Sequence, residues 1–171
     1  MKFFIFSLPR SRSAWLSLFL SSADSFCFHE PLGDEVSLVD RMAARPEPVV
    51  GAIDTGAYRS YEAVLEMLPD AHYFMLYRDP VEIQRSSDKF GVTFDARKEY
   101  ERLCDIPVAH TIYANGLNDV DYLESLWVAI VGTPFDRERA ALMTEMHIER
   151  DVYRYFSNRP HLRNPLSASW N

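Results

Sequence analysis

Arginine and serine alternate at Arg10, Ser11, Arg12 and Ser13, directly after the apolar run 3–6 and just before the apolar stretch that begins at Trp15. Guanidinium groups offer planar, charge-assisted donors that match phosphate and sulfate oxygens, and a turn into a helix adds backbone N–H groups without intrahelical partners. The chemistry this spacing favours is anion binding. A second pair has the same character: Arg78 closes the apolar run 73–77, and Ser86 follows eight residues later, about two helical turns on. Behind residues 26–28 come His29 and Glu30, two groups that can take a proton. A histidine is poised near neutrality, whereas a glutamate needs burial to raise its pKa. Each feature also has a plain structural reading. Solvated arginines on a turn, Arg78 paired with a carboxylate, Glu30 paired with Arg10 or Arg12, and His29 closing a strand would all fit the same residues.

The elements that must position these groups alternate. Strands are expected near 2–7, 26–28, 49–53, 72–77 and 107–113, and helices near 13–22, 34–43, 60–68, 80–89 and 95–103. The strands are continuous apolar runs, as expected where helices cover both faces of a parallel sheet. Pro9 stops the first run, Ser11 and Ser13 are good helix N-caps, and Pro80 suits a first helical turn. After the fifth strand the pattern turns helical, near 119–131, 135–145 and 147–157, and the tail 158–171 has no periodicity. The expectation is an α/β protein: one three-layer domain over 1–157 with a central parallel sheet of about five strands, a helical C-terminal part, and an irregular tail. Ligands in such sheets bind at the carboxyl ends of the strands, where both anion segments lie.

The usual nucleotide fingerprints do not fit, because GxxxxGK[ST] and GxGxxG both need glycines and residues 7–15 contain none. The segment instead resembles the 5′-phosphosulfate loop of the sulfotransferases, P-[KR]-S-G-[ST]-x-W, with Pro9, Arg10, Ser11, Ser13 and Trp15 in register. Arg12 stands where that family carries glycine. Either the backbone there avoids positive φ or the loop is a variant, and the Arg12 side chain either enters the pocket or faces solvent. The segment 78–86 is similar to the family's 3′-phosphate motif, R-[DN]-P-x-x-x-x-x-S, in which the arginine and serine grip the ribose 3′-phosphate.

The resemblance implies a P-loop-like fold that binds 3′-phosphoadenosine 5′-phosphosulfate (PAPS) or its product PAP and passes the sulfuryl group to a hydroxyl or amine of a small molecule or glycan, with no metal. It implies that Arg10, Ser11, Arg12, Ser13, Ala14 and Trp15 form the 5′ side of the cofactor site, Trp15 stacking on adenine. Arg78 and Ser86 form its 3′ side. Tyr113 ends the fifth strand where relatives carry Y-E-D-L and would reach the base, although Ala114 and Asn115 replace the acidic pair. Arg10 would also stabilise charge on the departing phosphate. The animal enzymes' K-T-H motif is replaced here by Asp54, Thr55 and Gly56. Another branch carries a catalytic glutamate after the second strand, and the run Phe28 to Leu32 looks like that version, which makes Glu30 the first choice of base, His29 the second and Asp54 the third. The basic, glycine-containing C-terminal segment of many relatives has no clear counterpart; His161 to Asn164 is the nearest stretch.

Composition agrees with one enzyme-sized domain. The chain has 171 residues, 47% of them hydrophobic, enough to bury a core. A formal charge of −7 argues against general nucleic-acid binding, so an anion site must be locally basic, as Arg10, Arg12, Arg78 and Arg85 would make it. Cys27 and Cys104 lack metal spacing and fit small core residues in a reduced, cytoplasmic setting. No apolar stretch approaches a membrane span. Two alternatives keep the pocket but change its use: a non-catalytic nucleotide-binding or regulatory module, and a small kinase, which the absent Walker lysine disfavours.

Overall fold

A computed structural model describes residues 1–32, 36–89, 91, 94–108, 110–132 and 134–146. Five strands alternate with helices: β1 (Lys2–Ser7), α1 (Ser13–Phe19), β2 (Ser25–His29), α2 (Leu38–Ala43), β3 (Val49–Asp54), α3 (Tyr61–Met67), β4 (His72–Tyr77), α4 (Pro80–Lys89), α5 (Ala96–Cys104), β5 (His110–Tyr113), α6 (Val120–Ile130) and α7 (Arg137–Thr144). Short 3-10 turns precede α3, over Ala57–Ser60, and follow β5, over Ala114–Asn118. The strands pair in the order β2-β3-β1-β4-β5, and every pairing is parallel. The helix expected over 147–157 and the tail with His161 to Asn164 lie outside the described residues.

The pleat of β1 explains why two layers of helices are needed. Phe3 and Ile5 pack with Trp15, Leu16 and Phe19 of α1 and with the inner faces of α6 and α7, while Phe4 and Phe6 pack with α2 to α5 on the other side. All four are fully buried, so the central strand reads as an unbroken apolar run and not as an alternation. β3 lies alongside with Gly51 opposite Phe3, and a side chain at Gly51 would strike the Phe3 ring at 2.2 Å. That glycine lets the aromatic ring lie flat on the sheet. No helix among the described residues is long and apolar enough to cross a membrane.

Strand order also sets where a crevice opens. From β1 the chain travels to β2, beyond β3, whereas from β4 it travels to β5 in the opposite direction. Neighbouring β1 and β4 therefore release their chains to opposite sides, the topological switch point at which open α/β sheets hold ligands.

Candidate functional site

The segment 8–12 leaves β1 at that crevice, and its backbone is bent in an unusual way. Arg10 and Arg12 both have positive φ, 66° and 67°, and Ser11 between them does not. Alternating backbone handedness turns successive N–H groups toward one concavity, a nest suited to an anion. For residues with a side chain the left-handed region costs about 1–2 kcal/mol, so the bend at Arg12 keeps a glycine-like conformation without the glycine. Neither serine caps α1. Arg12 is the N-cap residue and makes no side-chain capping bond; the Ser13 hydroxyl turns instead to His29 Nε2, 3.1 Å away. Ser11 is fully buried, and its Oγ has no hydrogen-bond partner among the described residues.

The β4 segment meets this loop. Arg78 donates from Nη1 to the Arg10 carbonyl at 2.6 Å and from Nε to Glu82 at 3.1 Å, while Arg10 Nε donates to Ser86 Oγ at 3.1 Å. Residues 68 and 76 positions apart in sequence are thus joined directly across the crevice. Arg12 does not point into open solvent. Its Nη1 donates to Asn118 Oδ1 at 2.8 Å, its guanidinium lies 4.6 Å from the Trp15 ring centre, and burial together with the nearby Arg78 charge lowers its pKa. Asn118 had no signal in the sequence beyond its place before a helix. Arg85 stands apart on the exposed flank of α4, in an open groove shared with Arg97 and Tyr100 of α5.

Aromatic residues divide between core and rim. Trp15 is 4% exposed, stacks on Phe19 at 5.5 Å and donates Nε1 to the Met143 carbonyl at 2.9 Å. Its packing is that of a core residue, and Arg12 covers the ring. Ala14 follows in the first turn of α1, partly buried. Tyr113 ends β5 half-exposed and meets Tyr77 edge to face at 5.7 Å. Cys27 is buried, which pushes its thiol pKa up, whereas Cys104 is exposed on α5 and does not join the core.

The three candidate bases gather at the ends of β2 and β3. Asp54 is already committed: its Oδ1 accepts from the backbone N–H groups of Gly56 and Ala57 at 2.8 and 2.9 Å, capping the 3-10 turn. Glu30 has φ 50° and accepts the Thr55 hydroxyl on Oε1 at 2.7 Å. His29 lies beside it, with Nε2 3.9 Å from Glu30 Oε1; both side chains are about a third exposed, at 30% and 33%. Burial draws the His29 pKa below its ordinary value against the opposing pull of Glu30 and Asp54. Ser13 links this cluster to the loop. Neither a family model nor a curated protein matches the chain.

Proposed function

We propose that this chain is a sulfotransferase-like, P-loop-like α/β protein that binds 3′-phosphoadenosine 5′-phosphosulfate at the β1/β4 crevice and transfers its sulfuryl group to a hydroxyl or amine of a small molecule or glycan. One observation carries the reading. Two segments that resemble the halves of a single cofactor site, 9–15 and 78–86, are far apart in sequence, yet Arg10 bonds Ser86 and Arg78 bonds the Arg10 carbonyl. A donor with charge at both its 5′ and 3′ positions needs that junction, and an ordinary adenine nucleotide does not.

The geometry supports a role for each residue. The nest at Arg10 and Arg12 suits the 5′-phosphosulfate, with Arg10 balancing charge on the leaving phosphate. Arg78 and Ser86 suit the 3′-phosphate. Trp15, as packed, reaches a base only if the Arg12 guanidinium moves from its face, which leaves Tyr113 as the exposed aromatic on the same end of the sheet. The Glu30–His29 pair supplies the proton acceptor.

Ligand-dependent melting tests this directly. A ligand present at a hundredfold excess over its Kd adds about 2.7 kcal/mol, and each kcal/mol moves Tm by roughly 2–4 °C at this size, so adenosine 3′,5′-bisphosphate should raise Tm by about 5–10 °C. ADP at the same concentration should do far less, and Arg78→Ala should remove most of the difference. Equal stabilisation by ADP with magnesium would overturn the reading in favour of a kinase-like site.

A further inference from the structure

The cluster at the ends of β2 and β3 assigns its own division of labour. Glu30 is fixed on both sides of its Cα: its N–H donates to the Ile53 carbonyl at 2.8 Å, and its Oε1 accepts the Thr55 hydroxyl at 2.7 Å. The same carboxylate oxygen lies 3.9 Å from His29 Nε2, and the Ser13 hydroxyl oxygen lies 3.1 Å from that nitrogen. A proton on Nε2 sits between two oxygens, one of them charged; a lone pair there would face the carboxylate. The other ring nitrogen, Nδ1, takes no hydrogen bond among the described residues. In a neutral imidazole one nitrogen carries the proton and the other the lone pair, and the partner of the first decides which.

We infer that His29 accepts the acceptor's proton through Nδ1, and that Glu30, held by Thr55, is the positioning residue that keeps the proton on Nε2 and balances the ring when it becomes charged. This rests on the sulfuryl-transfer reading above. In the step, the acceptor oxygen or nitrogen forms its bond to sulfur and its proton passes to Nδ1. The bond from sulfur to the bridging oxygen breaks, and its electron pair leaves with the 5′-phosphate of the bisphosphate. A carboxylate that orients an imidazole and stabilises the imidazolium, without itself taking the proton, is the logic of hydrolase triads. Here the carboxylate and the substrate would use the opposite nitrogens from the usual order. The groups bearing on the ring are Glu30 from its own strand end, Asp54 from β3 and the uncharged Ser13 from α1. Burial outweighs the pull of the two carboxylates toward the charged form and holds the His29 pKa below its ordinary value, so the ring can accept a proton.

Nitrogen-15 NMR of the full chain, without nucleotide, tests the assignment first. His29 should show a protonated Nε2 and a lone-pair Nδ1 at neutral pH. Glu30→Gln, whose amide oxygen can still accept the Thr55 hydroxyl, should lower the His29 pKa and mix the two tautomers. A lone pair on Nε2 in the natural chain, or a Glu30→Gln spectrum unchanged at His29, would overturn the inference. The second arm follows loss of labelled sulfate from the donor against a panel of hydroxyl and amine acceptors. His29→Gln should cut turnover about 10²–10⁴-fold, while Glu30→Gln should cost less and move the acid limb of the pH profile to lower pH. A Glu30→Gln loss equal to that of His29→Gln, with the tautomer intact, would make Glu30 the base itself. If neither donor nor bisphosphate binds, the transfer step falls with the nucleotide reading, whereas a wrong tautomer overturns this assignment alone.

Discussion

Helix α1 meets arginines at both ends, and they are held in opposite ways. At its C-terminal end, Arg139 of α7 donates to the carbonyls of Leu18, Phe19 and Ser21 at 3.0, 3.0 and 2.8 Å, with its guanidinium 5.9 Å from the Phe19 ring. A cation there meets carbonyls at and just beyond a helix end, where the dipole favours positive charge. At the N-terminal end, Arg10, Arg12 and Arg78 gather at one loop, where Arg78 bonds both the Arg10 carbonyl and Glu82. The loop bends twice into the left-handed region, and Arg78 works against the charge on Arg12. Arg59 and Arg102 follow the first pattern, since both pair with the buried carboxylate of Glu99. The contrast separates arginines that close a helix end or pair with a buried carboxylate from arginines such as Arg12, set in left-handed backbone against the charge of Arg78. An anion bound between the second kind relieves what the fold imposes.

The largest expected effects come from cutting one arginine of each kind. Arg139→Ala loses three charge-assisted bonds, while the Leu18 carbonyl keeps the Ser21 N–H, so stability should fall by about 2–4 kcal/mol, a drop in Tm of roughly 4–16 °C at this size. Binding of adenosine 3′,5′-bisphosphate, measured by calorimetry well below the new Tm, should not change. Arg10→Ala should reach binding: affinity for the bisphosphate falls by about 1.5–3 kcal/mol, the worth of a charged hydrogen bond. Loss of affinity in Arg139→Ala, or unchanged affinity in Arg10→Ala, would break the contrast between the two ends.

Sequence carried the fold further than it carried the site. The five strands and their order along the chain follow from short apolar runs such as 2–7 and 72–77, because strands buried on both faces of a parallel sheet read as continuous runs too short for buried helices, here stopped by Pro9 and Pro80. Helix ends were less legible. α1 stops at Phe19, not near residue 22, where Arg139 takes up its last carbonyls; that partner lies about 120 positions away and leaves no local trace. The serines at 11 and 13 have good capping chemistry, but a left-handed bend at Arg12 and a histidine from β2 claim that end of the helix instead. Trp15 shows the same limit. Its register matches a stacking residue, while its surroundings, Phe19 on one face and Arg12 on the other, are tertiary. Asp54 was a candidate base by type alone, and two backbone N–H groups explain its place in the fold.

A pH-dependent test sharpens the structural half of the comparison. Burial pushes the Glu99 pKa up, but the Tyr58 hydroxyl, Arg59 and Arg102 outweigh it and hold the carboxyl below its ordinary value; the same contact and burial push Tyr58 up to about 12. A depressed carboxyl pKa contributes stability that is present above its unfolded value, about 4.3, and lost as pH falls through the folded one. Thermal melts should therefore be flat with respect to this group above about pH 5 and decline below about pH 4. Glu99→Gln should lower Tm near neutrality and reduce the acid decline. An acid limb of the same steepness in the variant would mean that Glu99 is not the titrating anchor of its arginines.

The smallest effect is the most direct probe of the loop. Arg12→Gly removes the bond to Asn118 and the cover over Trp15, about 0.5–1.5 and 0.5–1 kcal/mol, but it also removes the cost of a side chain at φ 67°, of order 1–2 kcal/mol. These terms nearly cancel, so the free protein should stay within about 1 kcal/mol of the natural chain. Arg12→Ala loses the same contacts and keeps the strained backbone, so it should melt below the glycine variant by the equivalent of about 1 kcal/mol, roughly 2–4 °C. Alanine melting level with glycine would mean that residue 12 does not hold the left-handed bend, and the nest would lose its geometric basis. If the bend is held, both variants should still bind the bisphosphate, more weakly than the natural chain and more tightly than Arg10→Ala. That ranking follows because the concavity is made by backbone, which glycine preserves, and Arg12 adds charge to it from a side chain already shared with Asn118.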